Sequence, residues 1–315
     1  MPNYSGVWSL SQQFQAVGQG LWPPNYVPPE TFAIFALGFT TARVTTRDKY
    51  TYSGDVVSAG GAATVASFSG SAAGNSTVGI FALGNGATTR STTRDKYTYS
   101  GCVVSAGGAA TVATQNGSAA GNSTVGIFAL GFDGGPSTTR NKYTYSGCVV
   151  SAGTAATVAS QVGSAAGTST VGIFALGNAP CTPSTTRNKY TYSGCVVAAG
   201  GAATVASNQG SAAGTSTVGI FALGVAPSVG STTRDKYTYS GDVVSAATAA
   251  TVASYTSSAA GNSTVGIFAL GYTTAASTTR NKYTYSGCVV SAGGAATTAS
   301  YAGAAASNGT TGVNI

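Results

Sequence analysis

Histidine is absent from this 315-residue chain, and Glu30 is its only glutamate. Without histidine the usual general base, the Ser-His triad and most zinc sites are gone. A glycan hydrolase needs a pair of carboxylates, and no such pair is evident. The recurring acid is Asp48, Asp95 and Asp235 in three places but Asn141, Asn188 and Asn281 in three equivalent ones. A catalytic carboxylate does not tolerate that exchange; a surface or hydrogen-bonding position does. No glycine-rich phosphate loop has the required spacing. No apolar stretch reaches 18 residues, so nothing here spans a bilayer as a helix. Met1–Tyr26 has neither a basic leader nor an apolar run of seven, which argues against a secretory signal. Collagen is excluded by the missing Gly-X-Y period. The expectation is a chain with no catalytic residues, no metal and no cofactor.

Charge is also scarce, at 7%. Disorder is excluded by 43% apolar and 10% aromatic residues with clear period-2 stretches. The net charge of +7 comes from 14 cations against 7 acids. Twelve of those cations belong to one Arg-x-Lys pair written six times. That spacing spreads the charge around a ring, whereas a nucleic-acid binder clusters it in one patch; no nucleic acid is expected as a partner.

What is present is a repeat. The phrase STTRDKYTYSGDVVSAGGAATVAS, two irregular residues, then GSAAGNSTVGIFALG recurs with little change. Its arginines, Arg47, Arg94, Arg140, Arg187, Arg234 and Arg280, are spaced by 47, 46, 47, 47 and 46 residues. Such a period marks stacked supersecondary units. Each copy parses into four short strands: Gly-Ser-Ala-Ala-Gly, Val-Gly-Ile-Phe-Ala-Leu-Gly, Thr-Thr-Arg-Asp/Asn-Lys-Tyr-Thr-Tyr-Ser-Gly and, roughly, Ala-Ala-Thr-Val-Ala-Ser. In the third strand, alternation predicts Tyr50 and Tyr52 on one face and Arg47, Lys49 and Thr51 on the other. Four antiparallel strands at this period predict an all-β six-bladed β-propeller over residues 31–315, with repeats starting near 31, 78, 125, 171, 218 and 265. The small Ser-Ala-Ala-Gly strand suits the crowded axis, and the bulky strands suit the widening gap outside it. The array opens with a second strand at Thr31–Gly38 and closes with a first strand at Ala302–Ser307, with Thr311–Ile315 in place of its usual second strand. The C-terminal strand is therefore expected to complete blade one and bury both open edges.

Cys102, Cys148, Cys195 and Cys288 share a position held by Asp55 and Asp242 in the other copies. Equivalent positions in neighbouring units lie too far apart for a disulfide, and Cys181 has no evident mate. The bland reading is a turn residue after Ser-Gly, preferred over a metal ring of four thiols. Asn75, Asn122 and Asn262 head Asn-Ser-Thr sequons, yet Thr168 and Thr215 stand there in two copies; a turn needing Asn or Thr explains both.

Residues 1–30 stand apart as an expected anchoring arm. Ser9 or Ser11 can cap a short helix over Gln12–Val17, with Leu10, Phe14 and Val17 on one face, Trp8 nearby, and Trp22 in the Leu-Trp-Pro-Pro strap that follows. Such a hook suits docking onto its own ring or onto another protein.

Two windows per copy vary while the rest hardly changes. The first, after each FALG, contains Phe39, Arg43, Arg90, Phe132, Asp133, Asn178 and Tyr272. The second, after the fourth strand, contains Phe68, Gln115, Asn116, Gln161, Asn208, Gln209, Tyr255 and Tyr301. Strand alternation places both windows on one side of the disc and the uniform turns on the other. Exposed loops drift freely, but the uniform turns are loops too and have not drifted. The expectation is a ligand-binding face of stacking rings and hydrogen-bonding amides.

The phrases GIFALG, TTRDKYTYSG and SAAGNST, over roughly residues 31–310, resemble kelch-type propeller repeats, in particular the Gly- and Thr-rich short-blade version in tailed-bacteriophage virion proteins. The leader GVWSLSQQFQAV with Leu21-Trp-Pro looks like the N-terminal segment of such proteins. The usual kelch double glycine reads Ala36-Leu37-Gly38 here, and the usual tryptophan is missing. The resemblance implies a non-enzymatic tail or head fibre or decoration protein, made in a bacterial cytoplasm and carried in several copies per virion. Residues 1–30 would meet other virion proteins, and the variable loops a host-surface glycan or protein. The alternatives are a purely structural cement protein and a bacterial kelch-like binding module.

Overall fold

The computed structural model describes residues 30–86, 89–226 and 228–309. The expected arm residues Trp8, Leu10, Phe14, Val17 and Trp22, and the segment Thr311–Ile315, lie outside the described residues. By its contacts the chain divides into Met1–Glu30 and Thr31–Ile315, and the second unit is a six-bladed β-propeller. Each blade is one four-stranded antiparallel sheet. Blade two is typical: Ser71–Gly74, Val78–Ala82, Arg94–Thr98 and Val103–Ala106, in that order from the axis outward. The inner strand of every blade touches that of the next, and the last touches the first.

The sequence dictates this layering. Ser-Ala-Ala-Gly has almost no side chain, so six copies fit around the axis. Val-Gly-Ile-Phe-Ala carries apolar groups on both pleat faces because both are covered by blades; Ile80 and Phe81 are fully buried. The outer strand is wet, and Val56 is 56% exposed. Blade one is assembled from both ends of the array. Ala304–Ser307 pairs antiparallel with Phe32–Ala36 in the register Ala36↔Ala304 to Ala33↔Ser307. Asn308 Oδ1 accepts from Phe32 N at 2.7 Å, and Tyr52 donates its hydroxyl to Ser307 Oγ at 2.9 Å.

Two expectations need correction. The fourth strand is Val56–Ala59 and its equivalents, not Ala-Ala-Thr-Val-Ala-Ser. Gly54 (φ 82°) and Asp55 (φ 54°) are both left-handed, so the chain reverses directly after the third strand and pairs Val57 with Tyr50. The Ala-Ala-Thr-Val-Ala-Ser segment is a strap to the next blade: Thr64 gives its N–H and hydroxyl to Asp95 at 3.0 and 2.6 Å. The second correction concerns charge. The six arginines do go around the ring, one at each blade junction, but they are core residues, each 1% exposed. Arg47 stacks on Phe81 of the next blade, 4.6 Å from the ring centre, and donates Nη2 to Asp95 at 2.8 Å. The other five do the same with Asp or Asn, ending with Arg280 on Phe35 and Asp48. The Asp/Asn position is thus a buried hydrogen-bonding one. Arg94, Arg140 and Arg234 face Asn, and burial without a carboxylate lowers each to about 10.

The turn readings hold. Asp and Cys share the left-handed turn position, at φ 53–55°. Asn75 Oδ1 accepts from Thr77 N, Thr77 Oγ1 and Val78 N. In the Thr copies, Thr168 Oγ1 takes the same two backbone donors. All five cysteines are free. Among the described residues no helix is long and apolar enough to cross a membrane.

Candidate functional site

The ends of the strands decide what comes together. Within blade two, Ser71 pairs with Ala82 and Ala82 with Arg94. The chain entering Ser71 and the loop leaving Ala82 therefore share one end of the sheet, and both variable windows sit there. They meet within each blade, where the ladder of the inner two strands runs on past Ser71 and Ala82. Antiparallel bridges join Phe68 to Asn85, Gln115 to Phe132, Gln161 to Asn178, Asn208 to Val225, Tyr255 to Tyr272, and Tyr301 to Phe39. Each pair continues the register of one blade's inner two strands, as Phe68↔Asn85 continues Ser71↔Ala82, so both members flank the same blade.

Just inside these pairs runs a closed collar. Asn116 N donates to Ser69 O, Val162 N to Asn116 O, Gln209 N to Val162 O, Thr256 N to Gln209 O, Ala302 N to Thr256 O, and Ser69 N to Ala302 O, all at 2.8–2.9 Å. All six residues are left-handed, with φ between 49° and 59°. A left-handed non-glycine residue costs about 1–2 kcal/mol, and each backbone hydrogen bond returns about 1 kcal/mol. The terms nearly cancel, so closure makes the strain tolerable. The collar also explains the glycine ending FALG. A Cβ at Gly84 would stand 2.5 Å from the carbonyl oxygens of Phe68 and Ser69.

The collar surrounds the mouth of an axial cavity of about 60 Å³, lined by the residues that follow it: Gly70, Ser71 and Ala72 and their equivalents. Serine stands at 71, 118, 164, 211 and 258, alanine at 304. Ser211 Oγ meets Ser257 Oγ at 2.9 Å, where Ser257 replaces the usual glycine. The hydroxyls of Ser71 and Ser118, in residues only 9% exposed, have no protein partner among the described residues.

Around the mouth the expected face residues sort into two arcs. Phe68, Phe39, Tyr301, Tyr272 and Tyr255 form a continuous chain of ring contacts with centroids 5.2–5.7 Å apart. The opposite arc is amide. Asn85 Nδ2 donates to Gln115 Oε1 at 2.6 Å and Asn208 Nδ2 to Asn178 Oδ1 at 2.7 Å, with Gln161 bridged to Asn178. Asn116 and Gln209 belong to the collar. Arg43 lies 5.1 Å above the Phe68 ring and reaches Asn85 Oδ1 at 3.4 Å; Arg90 lies 5.3 Å above Phe132. Asp133 turns its own loop, its N–H donating to Gly135 O, and joins neither arc.

The sequence reading missed the axial serines, read only as small strand residues; Ser69, Val162, Thr256 and Ala302 fall in the second variable window, but nothing in the sequence marks them as a collar. The one signal for the serines was their regular placement where alanine also fits. At the far end, Asp55 accepts from Tyr50 and Lys282, and Asp242 from Tyr237 and Lys189. Asp48, Asp95 and Asp235 are spent on arginine and threonine. Among the described residues no cluster of His, Cys, Asp or Glu could hold a metal ion. No protein-family model matches the chain, and no curated protein matches it.

Proposed function

We propose that the propeller is a non-enzymatic recognition module whose variable end binds a surface glycan or protein. One observation carries the reading: of twelve bridged window positions, scattered in sequence, five aromatics gather in one arc around the axis and five amides in the other, with Phe132 and Val225 among the amides. Drift accounts for variation, and pairing along one blade's ladder accounts for matched neighbours such as Tyr255 and Tyr272. Neither accounts for five of the six rings gathered on one side and the five amides on the other. Rings stack on sugar or apolar faces, and amides hydrogen-bond. Asp48, Asp55, Asp95, Asp235 and Asp242 are engaged with arginine, lysine, threonine or tyrosine, which supports binding over catalysis.

The likeness to kelch-type repeats of tailed-phage proteins supports a virion role, with residues 1–30 as the attachment and several copies adding weak contacts into useful avidity. The test is a triple variant, Phe39→Ala, Tyr272→Ala and Tyr301→Ala, applied as labelled protein to a bacterial-surface glycan array and to bacterial cells. Binding lost with the fold intact supports recognition; undiminished binding defeats it.

A structural cement role is favoured by a different feature. Six outer-strand valines, including Val56, Val149 and Val243, are 55–58% exposed on the perimeter. That apolar rim suits neighbouring subunits. Polar substitution of these valines would then abolish assembly while leaving glycan binding unchanged.

A further inference from the structure

We propose that the axial cavity is a subsite for a neutral sugar, taking one hydroxyl or hydroxymethyl arm end-on while the aromatic arc stacks on the sugar ring. This rests on reading the variable end as a recognition surface. The chemistry of the lining selects the ligand class. No charged side chain lines the cavity. Its polar groups are serine hydroxyls and main-chain amides, which both donate and accept. An ion would find no counter-charge there. An apolar group would leave the Ser71 and Ser118 hydroxyls, already without protein partners, buried and unsatisfied. A hydroxyl group answers both needs.

Size agrees. A cavity of 60 Å³ has room for about four water-sized groups, at roughly 15 Å³ each. That suits a side arm and excludes a whole pyranose. The ring must then rest on the collar, where Tyr301 adjoins Ala302, Phe68 adjoins Ser69 and Tyr255 adjoins Thr256. The collar's own backbone groups are already paired with each other, so it forms a fixed lip and the serines below it carry the polar recognition.

The experiment titrates the full chain with methyl glycosides of glucose, galactose and N-acetylglucosamine, read by protein chemical-shift changes. Two variants probe the cavity. Ser71→Ala with Ser118→Ala removes two hydroxyls, and Ala304 in the equivalent place shows that alanine fits. Ala304→Ser adds a sixth hydroxyl. The expected result is saturable binding of at least one glycoside, weakened about tenfold or more by the double alanine variant and strengthened by Ala304→Ser. Equal affinity in parent and both variants, together with loss on Tyr301→Ala, would overturn the axial subsite and leave the recognition face standing. Absence of saturable binding up to ~50 mM, with array or cell binding still lost in the arc variant, would also overturn the sugar assignment and leave a protein-binding face.

Discussion

The blade junctions contain their own controlled experiment, because Asp and Asn already alternate opposite the buried arginines. Asp95 accepts from Arg47 Nη2 (2.8 Å), Thr64 N (3.0 Å) and Thr64 Oγ1 (2.6 Å). Asn141 accepts from Arg94 Nη2 and Thr111 N, both at 3.1 Å, and donates Nδ2 to Thr111 Oγ1 at 2.8 Å. The threonine hydroxyl simply reverses its role. Asp95→Asn therefore keeps three hydrogen bonds and removes only the charge. A charge-assisted bond is worth about 1 kcal/mol more than a neutral one, but a buried carboxylate also carries a desolvation penalty of several kcal/mol. Three bonds lose that increment, about 3 kcal/mol together, and relief of the carboxylate's desolvation offsets most of it, so the expected loss is about 1 kcal/mol. Asp95→Ala is different: it orphans three donors and leaves Arg47 without any partner there, costing about 3–5 kcal/mol. For a ring of this size, with an unfolding entropy of about 2 cal/mol/K per residue, 1 kcal/mol corresponds to roughly 2 °C. Calorimetry should then place Asp95→Asn about 2 °C below the parent and Asp95→Ala about 5–8 °C below. The reciprocal Asn141→Asp should fall within about 1 kcal/mol of the parent. If Asp95→Asn lowers the midpoint as far as Asp95→Ala, then charge rather than hydrogen-bond geometry holds the junction, and the reasoning is wrong.

Three other outcomes are expected. Two tyrosines per blade, such as Tyr143 and Tyr145, are raised above the usual phenol value by burial, Tyr143 and Tyr190 to about 12. A phenol raised on folding keeps its proton longer in the folded state, so stability falls as pH climbs past 10. The lowered values of Arg94, Arg140 and Arg234 act oppositely above pH 10 but involve fewer groups. Absorbance at 295 nm should show phenol ionisation delayed and coincident with loss of the β signal; ordinary titration near pH 10 in a folded ring would contradict this. Asn122→Thr should be nearly neutral to thermal unfolding, since Thr168 makes the same turn, whereas Asn122→Ala should cost about 1 kcal/mol. Gly84→Ala should cost more than 2 kcal/mol in urea unfolding, combining a left-handed φ of 69° with the collar carbonyls; a change under 0.5 kcal/mol would show the collar to be soft.

What the sequence revealed is what lies within one copy or follows from counting copies. The period gave the blade number, and the unmatched first strand at the C-terminus gave the closure of blade one. The Asp/Cys and Asn/Thr exchanges gave the turns. Relations between copies stayed hidden. Arg47 alternates like a surface residue in its own strand, and only Phe81 and Asp95 of the next blade make it a core residue. The edge strand Val56–Ala59 was passed over because it shows little burial pattern: Val56 is exposed and only Val57 packs inward, beside Tyr50. The collar was invisible because Val162 and Ala302, left-handed in the structure, carry no glycine-like signal. The arcs needed the contacts between blades, Phe39 with Phe68 and Tyr272 with Tyr301, which no single copy shows.

The junctions also differ in a way that bears on closure. Each holds one buried arginine and one lysine from the earlier blade, answered by two, one or no acids from the later. Blade six meets blade one with two, Arg280 on Asp48 at 2.7 Å and Lys282 on Asp55 at 2.9 Å. Blade one meets blade two with one, Arg47 on Asp95. Where Asn141 and Cys148, Asn188 and Cys195, or Asn281 and Cys288 stand, there is none. Blade one is the only blade whose inner and second strands come from opposite ends of the array, so no hairpin ties Phe32–Ala59 to the strand beside it. Elsewhere the hairpin holds a blade to its neighbour's strap by covalent continuity, and a neutral Asn suffices. At the seam that hairpin is missing, and both ion pairs, together with Thr297 donating to Asp48, anchor Phe32–Ala59 where no turn joins it to Ala304–Ser307. The same pair of acids recurs between blades four and five, at Asp235 and Asp242, so charge is not confined to the seam. Its presence at the seam nonetheless follows from topology: a ring closed by pairing rather than by chain must draw more of its junction strength from side chains.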